Sequence, residues 1–186
     1  MVCERKDIVD FIEKNHYSHN MSGVMSNYCF KIVLNDTLIG AMVFGKLGMA
    51  GVWKKYGNNQ DEVIELRRLV CIDDTPKNTE SWFIGNSLRW LQKNTNIKKV
   101  ISYADATYNH MGTIYKASNF KLLGMTSKSK MIEWNGRLYH DKAIRTTYKG
   151  KLKPYAQRLK TALEVGEAKY INTKSKHIYL YELKKQ

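Results

Sequence analysis

Two polar segments follow apolar, strand-like segments and hold most of the side chains that could perform chemistry. The first, residues 73–81, comes after the apolar segment 64–72 and contains carboxylates, a lysine, an amide and hydroxyls. The second begins at Asp105, just after the short apolar segment 100–103. Polar groups at the carboxyl ends of strands, beside helix starts, are where α/β proteins usually place a site. The sequence predicts a site here, and a capped, solvated loop is the alternative.

A dense cluster of hydrogen-bonding side chains, residues 15–20, follows the first predicted helix. His16 and His19 are three residues apart, so both could reach one metal ion or one substrate. Most paired histidines do neither, so a purely local role is the alternative.

Arg67 and Arg68 interrupt the apolar segment 64–72. Because adjacent strand residues face opposite sides, one arginine is expected to face solvent and the other to point across the sheet. A buried arginine needs an anionic partner, which Glu65 can supply for one of them.

The charge distribution favours a polyanionic partner. The formal net charge is +14, the pI is about 9.6, and residues 141–186 contain 12 Lys and Arg against 4 Asp and Glu. Such a surplus favours DNA, RNA or an acidic surface, and a merely solvated surface is the alternative. Interleaved tyrosines could stack on bases; they are Tyr148, Tyr155, Tyr170, Tyr179 and Tyr181. The predicted nucleic-acid contacts are Lys46, Lys54 and Lys55 in the glycine-rich segment 45–59, with Arg137, Lys151 and Lys153.

Several protein classes are disfavoured. The chain has no run of about 18 apolar residues, so no membrane span is expected. The N-terminal residues lack the apolar stretch of a secretory signal. Three scattered cysteines without CxxC spacing favour a reducing cytosol and no disulfide framework.

The patterning predicts a mixed α/β fold around a mainly antiparallel sheet flanked by helices. The predicted elements are a helix at 7–15, a hairpin of 28–34 and 37–44, strands at 64–72 and 100–103, a long helix at 79–93, a short helix at 113–118, a strand from 119, a hairpin of 130–134 and 137–140, a helix at 153–164 and a strand at 176–182. Thr75 or Asn78 is expected to cap the long helix, with Pro76 in its first turn. We expect one domain over 1–186, with a core of about 1–125 and a basic extension of about 126–186.

This element order is similar to that of the GNAT acyltransferase superfamily, and residues 115–124 look like its tyrosine helix running into an Asn-Phe strand. More closely, the chain resembles the Mom family of phage DNA-modification proteins. The matching segments are 16–18, 65–69, 73–81, 102–105 and 112–120, with a weaker match at 166–168 and 176–179.

The resemblance implies modification of the N6 amino group of adenine in phage DNA to a carbamoylmethyl form, which blocks host restriction. It implies roles for Tyr17, Arg68, Ser81, Asp105 and Tyr115, with His16 adjoining. The catalytic set expected from it is Asp105, Ser81, Tyr17, Tyr115 and His16. The expected substrate contacts are Glu65, Arg67, Arg68, Ser102, Tyr103 and Asn119, and the expected cofactor contacts are Lys77, Asn78, Thr79 and Glu80. Iron has been linked to the family, which makes His16, His19 and Asp105 a candidate ligand set.

The chain departs from the GNAT pattern in the loop that usually binds the CoA diphosphate. Residues 74–81 contain no glycine, and Gly85 comes too late. The donor is expected to be acetyl-CoA or another acyl or glycyl compound, and the partner double-stranded DNA in the cytoplasm of a bacterial host. Two further functions compete: a GNAT-type N-acyltransferase for a protein or small-molecule amine, and a non-catalytic DNA-binding or anti-restriction protein.

Overall fold

The computed structural model describes residues 1–108 and 110–184, and its elements follow the predicted order with two short strands added. The strands are β1 Val2–Cys3, β2 Tyr28–Leu34, β3 Thr37–Gly45, β4 Val63–Cys71, β5 Lys99–Asp105, β6 Lys121–Met125, β7 Lys130–Trp134, β8 Arg137–His140, β9 Lys169–Asn172 and β10 Lys176–Glu182. The helices are α1 Val9–Asn15, α2 Thr79–Asn94, α3 Thr113–Ala117 and α4 Pro154–Glu164. None of the helices in these ranges is both long enough and apolar enough to cross a membrane.

Both predicted hairpins are present, and their turns have the expected backbone. Asn35 and Asp36 have φ values of 47° and 59°, and Asn135 and Gly136 have 49° and 70°. Two consecutive left-handed residues make the turn whose twist matches paired antiparallel strands. The turn residues therefore fix the β2–β3 and β7–β8 pairings locally.

A seven-stranded sheet in the order β1-β2-β3-β4-β5-β10-β6 forms the centre of the first compact unit, which holds residues 1–104, 110–124 and 177–184. The strands from β1 to β4 pair antiparallel, whereas β4 and β5 are parallel. The parallel pairing runs only from Val63↔Lys99 to Leu66↔Ser102. Both strands continue beyond that pair, to Cys71 and Asp105, so their carboxyl-terminal residues are not paired with each other in this register.

Strand β3 shows why the sheet is stable, because it is buried on both faces. Met42 and Phe44 pack into one core with α2, while Ala41 and Val43 pack into a second core with α1. This accounts for the continuous apolar run in the sequence, which is typical of a strand covered on both sides.

The second compact unit, residues 105–108 and 125–176, contains a three-stranded sheet in the order β8-β7-β9. Its own core joins Ile132 of β7 to Leu159 and Ala162 of α4 and to Ala168. The boundary near residue 125 lies where the basic extension was expected to begin. The expected extension nevertheless ran to residue 186, whereas residues 177–184 belong to the first unit.

Candidate functional site

Ser102, the last residue of β5 that pairs with β4, lies next to Tyr115 of α3. Ser102 is fully buried, and its hydroxyl donates to the carbonyl of Leu66 at 3.4 Å. Burial raises the pKa of Tyr115, and a side-chain hydrogen bond with Ser102 offsets only part of that rise. Tyrosine is protonated at neutral pH even without this shift, and the raised pKa makes Tyr115 a weaker acid, so its position beside Ser102 is what makes it a candidate proton donor.

Tyr115 is held in place by neighbouring aromatic rings. Its ring centroid lies 5.6 Å from that of Phe120 and 5.3 Å from that of Tyr179. The Tyr179 hydroxyl donates to the carbonyl of Met111 at 2.7 Å. Gly112 starts α3 with φ of 73°, and a Cβ there would lie 2.2 Å from the Tyr179 ring, so this position requires glycine.

Asn119, expected among the substrate contacts, has a clear backbone role. It has φ of 62° and follows α3, where a left-handed asparagine commonly ends a helix. The amide of Phe120 then returns to the carbonyl of Tyr115 at 2.9 Å.

The expected alternation of Arg67 and Arg68 is wrong, because β4 contains a β-bulge. Val43 pairs with Arg68 and Phe44 with Leu66, so Arg67 is the extra residue. Both arginines are partly buried, and neither simply faces solvent. Among the described residues, the buried Nε atoms of both have no hydrogen-bond partner.

The expected partner of one arginine is confirmed. Arg67 Nη1 lies 3.2 Å from Glu65 Oε2, and it also donates to the carbonyl of Lys46 at 3.0 Å. Glu65 Oε2 in turn accepts from the amide of Gly48 at 3.2 Å. Tyr103 lies near this pair, and burial raises its pKa, as does a hydrogen bond with Tyr56. The bonds of Glu65 and Arg67 to Gly48 and Lys46 therefore hold the glycine-rich segment 45–59 against β4.

Arg68 connects the sheet to the segment after α1. Its guanidinium donates to the carbonyls of Arg67 at 2.7 Å and Asn20 at 3.1 Å. Burial lowers the pKa of Arg68, and Tyr17 offsets part of the effect. The Tyr17 ring, 41% exposed, lies 4.2 Å from His16 and 4.9 Å from His110 by centroid distance.

His16 is a buried, neutral hydrogen-bonding group. The amide of Ser18 donates to His16 Nδ1 at 3.1 Å, so the neutral ring carries its proton on Nε2. Burial, followed by the charge of Arg68, lowers the pKa of His16 to about 4. At neutral pH this residue donates through Nε2 and is not a charged acid.

Acidification from pH 6.5 to about 4 is expected to lower the free energy of unfolding through His16. The unfolded chain binds a proton at this residue before the native state does, so stability falls with pH across that window. The cost is at most a few kcal/mol, at about 1.4 kcal/mol per pKa unit. Urea unfolding at both pH values should show a smaller loss for His16→Gln than for the exposed-site control His19→Gln. An equal loss in both variants would contradict this assignment.

Asn78, one of the two expected caps, occupies the N-cap position of α2 but does not cap the helix with its side chain. Its φ is 69°, while Thr75 and Pro76 lie outside the helix. The hydroxyl of Thr79 donates to the carbonyl of Pro76 at 2.6 Å, and that of Ser81 to the carbonyl of Asn78 at 3.0 Å. Because these hydroxyls donate to preceding carbonyls, they do not cap the N–H groups of α2. The amide of Thr79 donates to the carbonyl of Pro76 at 3.1 Å, so Glu80 and Ser81 carry the first N–H groups that an anion could use.

Asp105 has two partners within the second unit. Its Oδ2 lies 2.8 Å from Nζ of Lys176, and its Oδ1 accepts from the amide of Thr107 at 3.0 Å. Burial acts to raise the pKa of Asp105, but these hydrogen bonds outweigh it, so the pKa lies below its usual range. Asp105 is an ionised carboxylate at neutral pH. It also caps the following turn by accepting a hydrogen bond from the amide of Thr107.

The metal hypothesis gains no support. Within residues 1–108 and 110–184, no group of three or more His, Cys, Asp or Glu side chains could hold a metal ion. The predicted ligands have local partners instead: His16 Nδ1 bonds Ser18, His19 Nδ1 bonds the carbonyl of Glu13, and Asp105 pairs with Lys176.

The predicted cationic contacts have different surroundings. Lys46 lies 3.6 Å from Asp61, and Lys54 lies 5.8 Å from the Trp53 ring centroid. The fully exposed members of the set are Lys54, Lys55, Arg137, Lys151 and Lys153. Of the five tyrosines expected to stack on bases, Tyr179 is fully buried and Tyr181 partly buried, so neither presents a free ring.

Sequence reasoning missed two residues beside these groups. Lys176, the partner of Asp105, and His110, which contacts Tyr17, lie far along the chain from those partners. No local pattern marks such contacts. Among the predicted site residues, the structure brings Tyr115 into contact with Ser102, Arg67 with Glu65, and His16 with Tyr17. Lys77 has an exposed side chain.

Comparison with known proteins gives a family match over the entire chain. The Mom protein family matches residues 1–186. Methylcarbamoylase mom of Escherichia phage Mu is 32% identical over 88 residues, which are 47% of this chain and 36% of that protein. The matched region thus spans about a third of the length of that relative.

Solved structures show a likeness in fold. An N-acetyltransferase from Staphylococcus aureus Mu50 has a TM-score of 0.53 at 14% identity, covering 99% of this chain and 98% of its own. The smu.2055 protein of Streptococcus mutans UA159 has a TM-score of 0.51 at 12% identity, again covering 99% and 98%. A Bacillus subtilis acetyltransferase solved in complex with CoA has a TM-score of 0.47 at 12% identity, covering 98% and 87%. The expected GNAT-like fold is confirmed.

Proposed function

The chain belongs to the Mom protein family, and from that membership we propose that it modifies the N6 amino group of adenine in DNA by a carbamoylmethylation-type transfer. The phage Mu relative is named a methylcarbamoylase, which supports a transferase of this class. The observation that carries the proposal is Tyr115, a protonated tyrosine bonded to buried Ser102 where β4 and β5 separate. Such a modification would protect phage DNA from restriction in the host cytoplasm.

The chemistry requires two proton movements. The N6 lone pair is delocalised into the purine ring, so the amine must lose a proton as its new bond to carbon forms. The leaving group of the donor must gain one. The candidates carried over from the resemblance are Asp105 for the first proton and Tyr115 for the second, and each is tested by its own substitution.

The base must leave the double helix before it reacts, which costs a few kcal/mol of unstacking. Tyr17 supports this step because its ring is partly exposed and is already in contact with His16 and His110. Arg68 braces the segment that carries Tyr17 through its bond to Asn20. The formal charge of +14 supports DNA as the partner.

An acyl-CoA is the donor class that we propose from the GNAT-like fold. Its diphosphate would be held by the N–H groups of Glu80 and Ser81 in the first turn of α2, because the preceding loop has no glycine and carries the exposed Asp73 and Asp74. When bound, a glycyl thioester would let N6 form a bond to its carbonyl carbon as the C–S bond breaks and a thiolate leaves. The resulting N6-glycyl group has the same atoms as the carbamoylmethyl form, and an isomerisation would still be needed to join N6 to the methylene carbon.

DNA from bacteria expressing the protein is expected to contain a mass-shifted deoxyadenosine, detected by nucleoside mass spectrometry. Cells expressing Tyr115→Phe at an equal level are the control. An unchanged nucleoside profile from cells containing soluble wild-type protein and phage metabolites would contradict the proposal. Acylated host protein with unmodified DNA would favour the competing N-acyltransferase function instead.

A further inference from the structure

A four-residue turn in the second unit, Tyr148–Lys151, has an unusual backbone. Lys149 and Gly150 have φ values of 50° and 75°, and the turn is closed by two backbone bonds. The amide of Tyr148 donates to the carbonyl of Lys151 at 2.8 Å, and the amide of Lys151 returns to the carbonyl of Tyr148 at 3.1 Å. This geometry holds the turn in one conformation.

Lysine rarely adopts the left-handed backbone conformation that Lys149 has here. Among the described residues, the other non-glycine residues with positive φ are His19, Asn35, Asp36, Asn78, Asn119 and Asn135, whose types tolerate it. A lysine there costs about 1 kcal/mol relative to glycine. Backbone strain of this kind persists where the side chain is needed for function. Lys149 is therefore a candidate functional position, and its cationic side chain is the feature to test.

The turn presents an aromatic ring surrounded by positive charge. Tyr148 is 66% exposed, and Lys149 Nζ lies 5.7 Å from its ring centroid. Lys149, Lys151 and Lys153 are exposed, and in the described part of the chain no salt bridge reaches them.

The surrounding unit is cationic, and some of its acids are already neutralised. Residues 125–176 contain 13 Lys and Arg against 4 Asp and Glu, which is nine of the fourteen net positive charges. Asp141 pairs with Arg145, and Glu133 lies 3.1 Å from Lys169. The lysines of the turn therefore remain available for an external anion.

We propose that Tyr148–Lys151 is a DNA-contacting turn, in which the Tyr148 ring stacks on an unstacked base and Lys149 and Lys151 bind the flanking phosphates. The inference rests on the proposed function for its target, which is duplex DNA containing an extruded base. An aromatic ring among cations is the combination that binds exposed bases and their backbone. A membrane surface would call for apolar neighbours, whereas Tyr148 is flanked by Thr147 and Lys149.

Binding to two duplexes, measured by fluorescence anisotropy without any donor, tests this turn. One duplex is fully paired and the other carries a single unpaired adenine. The wild-type protein is expected to prefer the second by about tenfold, within the range for one base stacked on one aromatic ring. Tyr148→Ala should remove the preference and Tyr148→Phe should keep it. Leu138→Ala is the control, because Leu138 is an exposed apolar side chain of the same unit, at 44%, and is not among the expected DNA contacts.

Lys149→Asn separates strain from charge. Asparagine favours the left-handed backbone, so this variant should melt at a higher temperature than the wild type. It should also bind both duplexes more weakly, with a salt slope smaller by about 0.9 for one lost phosphate contact. Equal affinity and an unchanged slope would overturn the role of Lys149.

The inference fails if Tyr148→Ala keeps the preference for the unpaired adenine, or if Leu138→Ala loses it equally. These outcomes are independent of catalysis, because no donor is present. Modified adenine formed by a protein whose Tyr148→Ala variant binds normally would remove this inference and leave the proposed function intact. A preference that depends on Tyr148, found together with unmodified DNA, would support this inference and contradict the proposed function.

Discussion

Tyr115→Phe is expected to slow DNA modification by about 10²- to 10⁴-fold, the usual contribution of a general acid or base. The substitution removes one hydroxyl from a partly buried ring and leaves its contacts with Phe120 and Tyr179 in place. The lost group is the hydroxyl that hydrogen-bonds Ser102, which is protonated at neutral pH. Modified deoxyadenosine formed in a single turnover measures the effect. The melting temperature should change by only a few degrees, as for the loss of one hydrogen bond.

Tyr179→Phe is the matched control for that substitution. It removes a hydroxyl from an adjacent ring, together with its 2.7 Å bond to the carbonyl of Met111. We expect its stability to fall at least as much as that of Tyr115→Phe, while its modification rate stays close to wild type. If both variants lose activity equally, the aromatic cluster supports the fold and Tyr115 is no proton donor.

The parts of the fold that could be predicted are specified by short segments of sequence. The Asn35-Asp36 and Asn135-Gly136 turns determine their hairpins through two left-handed residues each. The periodicity of residues 79–93 likewise predicts α2, whose observed bounds are Thr79–Asn94. β1 and β9 were missed because two and four residues are too few to show a pattern, and their pairing with β2 and β7 is non-local.

The candidate site was only partly predictable, because its properties depend on tertiary contacts. The bulge at Arg67 arises from pairing with β3, so alternation along β4 gave the wrong orientation for the two arginines. The raised pKa of Tyr115 and the lowered pKa of His16 follow from burial, which residue types alone do not specify. The sequence located these residues, and the structure supplied their protonation states.

Asp105→Asn is expected to abolish modification while leaving the protein folded. The asparagine oxygen can still accept from the amide of Thr107, so the cap is kept, and only the charge is lost. The carboxylate has a lowered pKa and is ionised at neutral pH, which is the state that can accept the proton from N6. The lost ion pair should cost little stability, because the Lys176 side chain is 45% exposed.

Lys176→Gln distinguishes a reacting carboxylate from a structural ion pair. It breaks the same 2.8 Å contact from the other side but leaves the charge of Asp105 in place. Modified adenine, thermal melting and DNA affinity should be measured for both variants. If Asp105 accepts the proton, Lys176→Gln remains active at neutral pH and Asp105→Asn does not. Loss of activity in both would mean that the ion pair matters only for structure, and an active Asp105→Asn protein would end the catalytic assignment of this residue.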